Sequence, residues 1–210
     1  MKKTLVLVTL FVLPIVAYLF FASGINNFGK LPVLTENMVD LAVLNETTTL
    51  KNKITVLGFL GKNIEQKKGN AFNLNQKIYK RFYEFNDFQF VMIVPEGTED
   101  EVDELKKELG NLGNVEKWKF IFEKEDRIAD FFASLKTDLN LDKNLSTPYV
   151  FIIDKDVNLR GRTNDEDEGT KFGFNTASVA DLNNKMEDDV KIILAEYRMA
   201  LKKNNAARNY

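Results

Sequence analysis

The 210-residue sequence contains no cysteine and no histidine. Without cysteine it can form no disulfide and present no thiolate, so burial of apolar surface must hold the fold, even in an oxidising compartment. Without histidine it lacks the side chain that titrates nearest neutral pH and the commonest nitrogen ligand for metals. A strong charge imbalance is also missing: 29 lysines and arginines stand against 31 aspartates and glutamates, a net charge of −2. Such a chain has no long-range field to draw in a polyanion, and nucleic acid is not an expected partner. Apolar residues are plentiful, at 44% hydrophobic with 17 phenylalanines. That supplies a core and excludes disorder for most of the length.

After Lys2 and Lys3 the chain is uncharged and apolar from Thr4 to Ala22, and the next charge is Lys30. As a helix, residues 4–22 reach about 28 Å, close to the hydrocarbon thickness of a bilayer. The flanking lysines favour a cytoplasmic N-terminus, which places the remainder outside. Pro14 is compatible with such a helix when neighbouring groups satisfy the freed carbonyl. The expected organisation is a cytoplasmic stub (1–3), a signal-anchor transmembrane helix (4–22), a linker and N-terminal extension (23–50), a folded domain (51–203) and a disordered tail (204–210). The protein is then a single-pass resident of the cytoplasmic membrane. The alternative is secretion after signal cleavage, because Ala22-Ser23-Gly24 offers small residues at a suitable spacing.

Within the domain, Ile54 to Leu60 is a short apolar run ended by Gly61 and reads as a buried strand. Leu74, Ile78, Phe82 and Phe85 follow at three- and four-residue steps, the stripe of a helix lying on a sheet. Phe88 to Val94 is a second buried strand, closed by Pro95-Glu96-Gly97. Thr98 and Glu101 form a capping-box pattern before the helical face Val102, Leu105, Leu109, Leu112. Trp118 to Phe122 reads as an aromatic strand, then Ile128, Ala129, Phe132 and Leu135 as a helix. Tyr149 to Ile153 and Asn158 to Arg162 read as a hairpin about Asp154-Lys155-Asp156-Val157. Ser178 with Asp181 is placed to cap a last helix whose Leu182, Met186, Val190, Ile193, Leu194, Tyr197 and Leu201 face inward. Parallel strands alternating with helices, then a hairpin and a helix, predict a thioredoxin-like α/β three-layer sandwich.

Several of these segments together resemble the Sco/SenC proteins, thioredoxin-fold copper chaperones and thiol reductants of cytochrome oxidase assembly. They are Lys30-Leu31-Pro32, Lys53 to Leu60, Trp118-Lys119-Phe120, and Phe151 to Gly161. The resemblance spans about residues 28–203 and implies the fold. It also implies two cysteines just after the first core strand and a copper-binding histidine before the hairpin. Here those stretches read Gly61-Lys62-Asn63-Ile64-Glu65-Gln66-Lys67-Lys68 and Asn144-Leu145-Ser146-Thr147-Pro148. Copper(I) selects thiolate, thioether or imidazole, and disulfide exchange needs a thiolate, so neither activity carries over. No cofactor, no metal and no catalytic residue are expected.

The expected function is that of a redox-inactive, membrane-anchored binding or assembly partner in the cell envelope, with a respiratory assembly component among the candidate partners. The expected contact loop is Lys62, Asn63, Lys67, Lys68, Thr147 and Pro148, where the fold family often has a cis proline. The alternative is a thiol-independent metal-binding protein or enzyme using the carboxylates of residues 164–168, a run otherwise read as a solvated loop. Asp154-x-Asp156-x-Asn158 begins like a calcium loop, but its sixth position is Leu159 and its twelfth Asp165, which favours a polar turn. Of the five methionines, Met1 and Met38 precede the core, while Met92, Met186 and Met199 read as core packing. Ser146 and Thr147 have no histidine to activate them. A purified sample should leave copper(I) on a competing chelator and fail to reduce a disulfide substrate; retention of one copper(I) per chain would refute the exclusion.

Overall fold

The computed structural model describes residue 3 and residues 9–16, 29–44 and 47–208, with side chains to residue 200. Most of the expected anchor, 4–22, lies outside the described residues; residues 9–16 of it are helical. Among the described residues no helix is long and apolar enough to cross a membrane.

A sheet forms in the order β1-β6-β5-β2-β3-β4. Its strands are β1 (Val33–Thr35), β2 (Ile54–Leu60), β3 (Phe88–Pro95), β4 (Trp118–Glu123), β5 (Ser146–Ile153) and β6 (Leu159–Arg160). Strands β2, β3 and β4 run parallel, as crossover helices require. Strand β5 enters antiparallel to β2. Every residue of β2 and β3 is buried, so their unbroken apolar runs reflect two covered faces.

On one face Val56, Phe90, Met92 and Ile152 pack under α1 (Ile64–Leu74), α2 (Glu99–Gly110) and α4 (Glu187–Arg208). On the other, Leu57, Phe59, Val91 and Phe151 pack under α3 (Glu125–Ala133) and the segment before β2. α1 continues through a π turn, Asn75–Tyr79, and a last turn, Lys80–Phe82. In that turn Tyr79 and Asn75 reach Trp118: the rings lie 5.8 Å apart and the indole N–H donates to Asn75 Oδ1 at 3.2 Å. A π turn likewise precedes α4, at Leu182–Met186.

Several local expectations are revised. Leu31, Met38, Leu41 and Leu50 are buried, so much of the extension before Lys51 is part of the core, and Met38 packs within it. Thr98 does not cap α2; its hydroxyl donates to Pro95 O at 2.7 Å, completing the preceding turn instead. Ser178 does cap, accepting from Asp181 N–H. Phe131 takes the deep position under the sheet while Ala129 is exposed, because α3 is rotated relative to the expected stripe. Phe85 and Leu112 lie beyond the ends of their helices and are exposed. The run 164–168 is not an open loop: it turns between β7 (Arg162–Asp165) and β8 (Gly169–Lys171), a separate two-stranded ribbon. A further short strand, β9 (Phe174–Asn175), pairs with β5. The backbone of α4 runs to Arg208, past residue 203, through Leu, Lys, Ala and Arg, which favour helix.

Leu50 is fully buried against the second face, so Leu50→Ala should lower unfolding free energy by about 2–5 kcal/mol in urea titration. A cost near zero would show that the extension is dispensable to the core.

Candidate functional site

The loop after β2 and the loop before β5 meet at one end of the sheet. Gly61 has φ +69°, and a Cβ there would lie 2.3 Å from Asn144 O, so only glycine fits. The close approach lets Lys62 N–H donate to Asn144 O at 2.8 Å. Asp142 builds the other loop, accepting from Asn144 N–H, Ser146 N–H and the Ser146 hydroxyl at 2.8–2.9 Å. Partial burial pushes the Asp142 carboxyl up, but these donors, with Lys67 nearby, outweigh it and hold it below the ordinary carboxylate range. So weak a base cannot activate Ser146.

The lysines expected to form a basic patch are mostly spent on carboxylates. Lys62 pairs with Glu125 at 2.6 Å. Lys68 lies among Glu65, Glu108 and Glu104 at 2.5, 2.9 and 3.4 Å, and its hydrogen bonds to Glu65 and Glu108 hold its ammonium above the usual lysine value. Lys67 lines the cleft between α1 and the sheet with Asn70, Ala71, Leu74, Thr147 and Thr176. The cleft is a slot of about 10 Å³, room for no more than one water. Met92 packs directly beneath Gly58 and offers no thioether to solvent. Asn63 is exposed at the start of α1. Thr147 is buried and Pro148 half-buried, and the Pro148 peptide is trans. Pro148 O accepts from Thr176 N–H and its hydroxyl, which secures β9 against β5. Of the six expected residues Lys67 and Thr147 line the slot together, Lys68 turns to Glu104 and Glu108, and Pro148 serves the pairing of β9.

Three of the four carboxylates of the β7–β8 turn are committed elsewhere, and Glu166 is exposed. Asp165 is buried and takes Lys185 at 2.6 Å, with Arg162 at 3.7 Å. Asp167 shares Lys185 at 2.7 Å, and Glu168 accepts from the fully buried Lys171 at 2.6 Å. Lys171 also meets Asp181 at 3.1 Å. Among the described residues no group of three acidic side chains converges as metal ligands. Lys171, Arg162 and Lys185 went unnoticed in the sequence because the pairs Lys171–Asp181, Arg162–Asp189 and Lys185–Asp165 form only when the ribbon folds against the start of α4.

No family model and no curated protein matches the sequence. Among solved structures the chain is similar to BsSco, a member of the Sco family of cytochrome c oxidase assembly proteins, with TM-score 0.52 and 12% identity over 78% of this chain and 96% of that one. The fold is a divergent Sco-like thioredoxin fold. The soluble domain of Sco1 from Bacillus subtilis aligns at 14% identity and TM-score 0.45, covering 80% of this chain and 99% of that one. A thioredoxin-family thiol:disulfide interchange protein from Chlorobium tepidum TLS aligns at 15% and 0.45, covering 78% and 97%. At such identities the likeness concerns the fold alone, and activity must be argued from the site.

Burial pushes the Asp165 carboxyl up, but the Lys185 ammonium and the N–H groups of Asp167 and Glu168 prevail and leave it below the ordinary value. Its folded value is thus lower than its unfolded one of about 3.9. The stabilisation it gives is complete above that unfolded value and disappears as pH falls through the folded one. Asp165→Asn should therefore cost about 1–3 kcal/mol in neutral urea titrations, with wild type and variant converging toward about pH 2. A difference that persists undiminished in acid would contradict the charge assignment.

Proposed function

We propose that this chain is a membrane-tethered, redox-inactive Sco-like protein of the cell envelope that binds a partner protein and catalyses no reaction of its own. One observation carries this. The pole formed by Gly61, Lys62, Asn63, Lys67 and Asn144 keeps a turn that only glycine fits and pairs Lys62 with Glu125, and the slot beside it, lined by Lys67 and Asn70, admits about one water. Exposed at Lys62 and Asn63 and without a thiol or imidazole, such a surface is suited to recognition. An assembly role, and a respiratory component as partner, are supported by the description of BsSco as belonging to a family of cytochrome c oxidase assembly proteins. The apolar run 4–22 supports a tether with the domain outside the cytoplasm.

A photo-crosslinking residue placed at Asn63 or Lys67 of the full chain, in its native membrane, should give a discrete adduct that the same probe at Gln76 does not. The chain should stay in the membrane after alkaline carbonate washing. Equal adducts from all three positions would sink the recognition surface, and release by carbonate would sink the tether.

A further inference from the structure

The opposite pole, where β2 and β3 begin, has a surface that the proposed function does not use. Phe85 stands there 45% exposed, beside a cleft of about 270 Å³ lined by Ile54, Asn86, Asp87, Leu194, Tyr197 and Arg198, among others. Cations gather around it. Lys117 donates to Phe85 O at 2.6 Å, Lys155 is bound to Asp87, and Lys53 stands 3.8 Å from the same carboxylate. Burial first, and then the nearby charge of Lys53, lower the ammonium groups of both Lys117 and Lys119, with Asp87 and Glu116 opposing the shift at Lys117. Asp87, Glu116, Asp156 and Glu196 stand near these groups, and Glu84 precedes Phe85 in the sequence. Beyond it the sequence from Arg198 to Tyr210 adds Lys202, Lys203 and Arg208 and no acidic side chain, on a helix that continues to Arg208.

The root of the tether is fastened to the same helix. The guanidinium of Arg160 donates to Leu31 O at 2.7 Å and to Glu196 at 2.7 Å, so one buried side chain joins the chain emerging from residue 30 to α4 two residues before Arg198. Residues 23–30 span at most about 28 Å when extended. A domain held on so short a leash by residues 4–22 has its basic pole within reach of the headgroups.

We propose that this pole docks on anionic lipid, with Phe85 entering the interface and Arg198, at the head of a stretch that is free of acidic residues, meeting lipid phosphates. An exposed aromatic ringed by Lys and Arg suits an interface that is apolar beneath and negatively charged above. Docking would fix the domain's orientation and point Asn63 and Lys67, at the far pole, away from the bilayer. The inference rests on the tether proposed above.

Because the chain is cysteine-free, Asn86→Cys supplies a unique thiol for an environment-sensitive fluorophore in the full-length protein. The protein is reconstituted in phosphatidylcholine vesicles with or without phosphatidylglycerol. Probe emission should shift to the blue and resist aqueous quencher only with phosphatidylglycerol. High salt should reverse the effect, since screening shortens the reach of surface charge. Arg198→Glu and Lys202→Glu should each weaken it by about fivefold or more, and Phe85→Ser should remove the blue shift. Identical emission and quenching in both lipid mixtures, with the protein floating in each, would overturn the docking alone. Failure to float in either would overturn the tether and the docking with it.

Discussion

Burial of β2 and β3 on both faces is the constraint from which the rest of the architecture follows. With no side of these strands open to water, each backbone amide and carbonyl must be paired within the sheet, and helices must cover both surfaces. The parallel pairs β2–β3 and β3–β4 then force helical crossovers. Those crossovers place the β2–α1 loop at one pole and the α1–β3 turn, with Phe85, at the other. Gly61 fits the same scheme: the loop leaving the buried strand must pass so close to Asn144 that no side chain is tolerated.

In place of sulfur and imidazole chemistry the molecule carries ion pairs with short reach. Lys68 among three glutamates, Asp165 between Lys185 and Arg162, and Lys171 between Glu168 and Asp181 are all local settlements of charge. Lys68 meets its glutamates at the surface, where pairing is worth little; at Asp165 and Lys171, which are buried, losing the partner leaves a costly lone charge. They therefore secure the positions of the ribbon and of α4 more than they add net stability. Arg160 acts in the same way on a larger scale, joining Leu31, Asp154 and Glu196, which are far apart in sequence. The two poles are left with different characters: one carries the turn at Gly61 with Lys62 paired to Glu125, the other an exposed aromatic beside Lys117 and Arg198.

Much of the fold was legible from local pattern. Unbroken β-branched and aromatic runs located β2, β3 and β5, and periodic Val102, Leu105 and Leu109 located α2, because those signals depend only on which faces are buried. The hairpin at Asp154 to Val157 was legible for the same reason, with Asp154 accepting from the N–H groups of Asp156 and Asn158. Less legible was anything set by a distant neighbour. Thr98 had the spacing of a cap, yet Pro95 O was a nearer partner. Phe85 had helical spacing, yet the chain left the helix before reaching it. The acidic run 164–168 looked like a solvated loop because its cations lie 3 to 20 residues away and converge only after folding.

By itself the sequence determined the chemistry the protein lacks, since no arrangement in space can supply a thiolate or an imidazole that the chain does not contain. It also determined the alternation of strands and helices, which burial periodicity encodes locally. The tertiary structure alone decided which charges are paired and which are not. Whether Lys68 or Lys117 finds a carboxylate depends on which elements pack side by side, and that is settled by the sheet's long-range pairing.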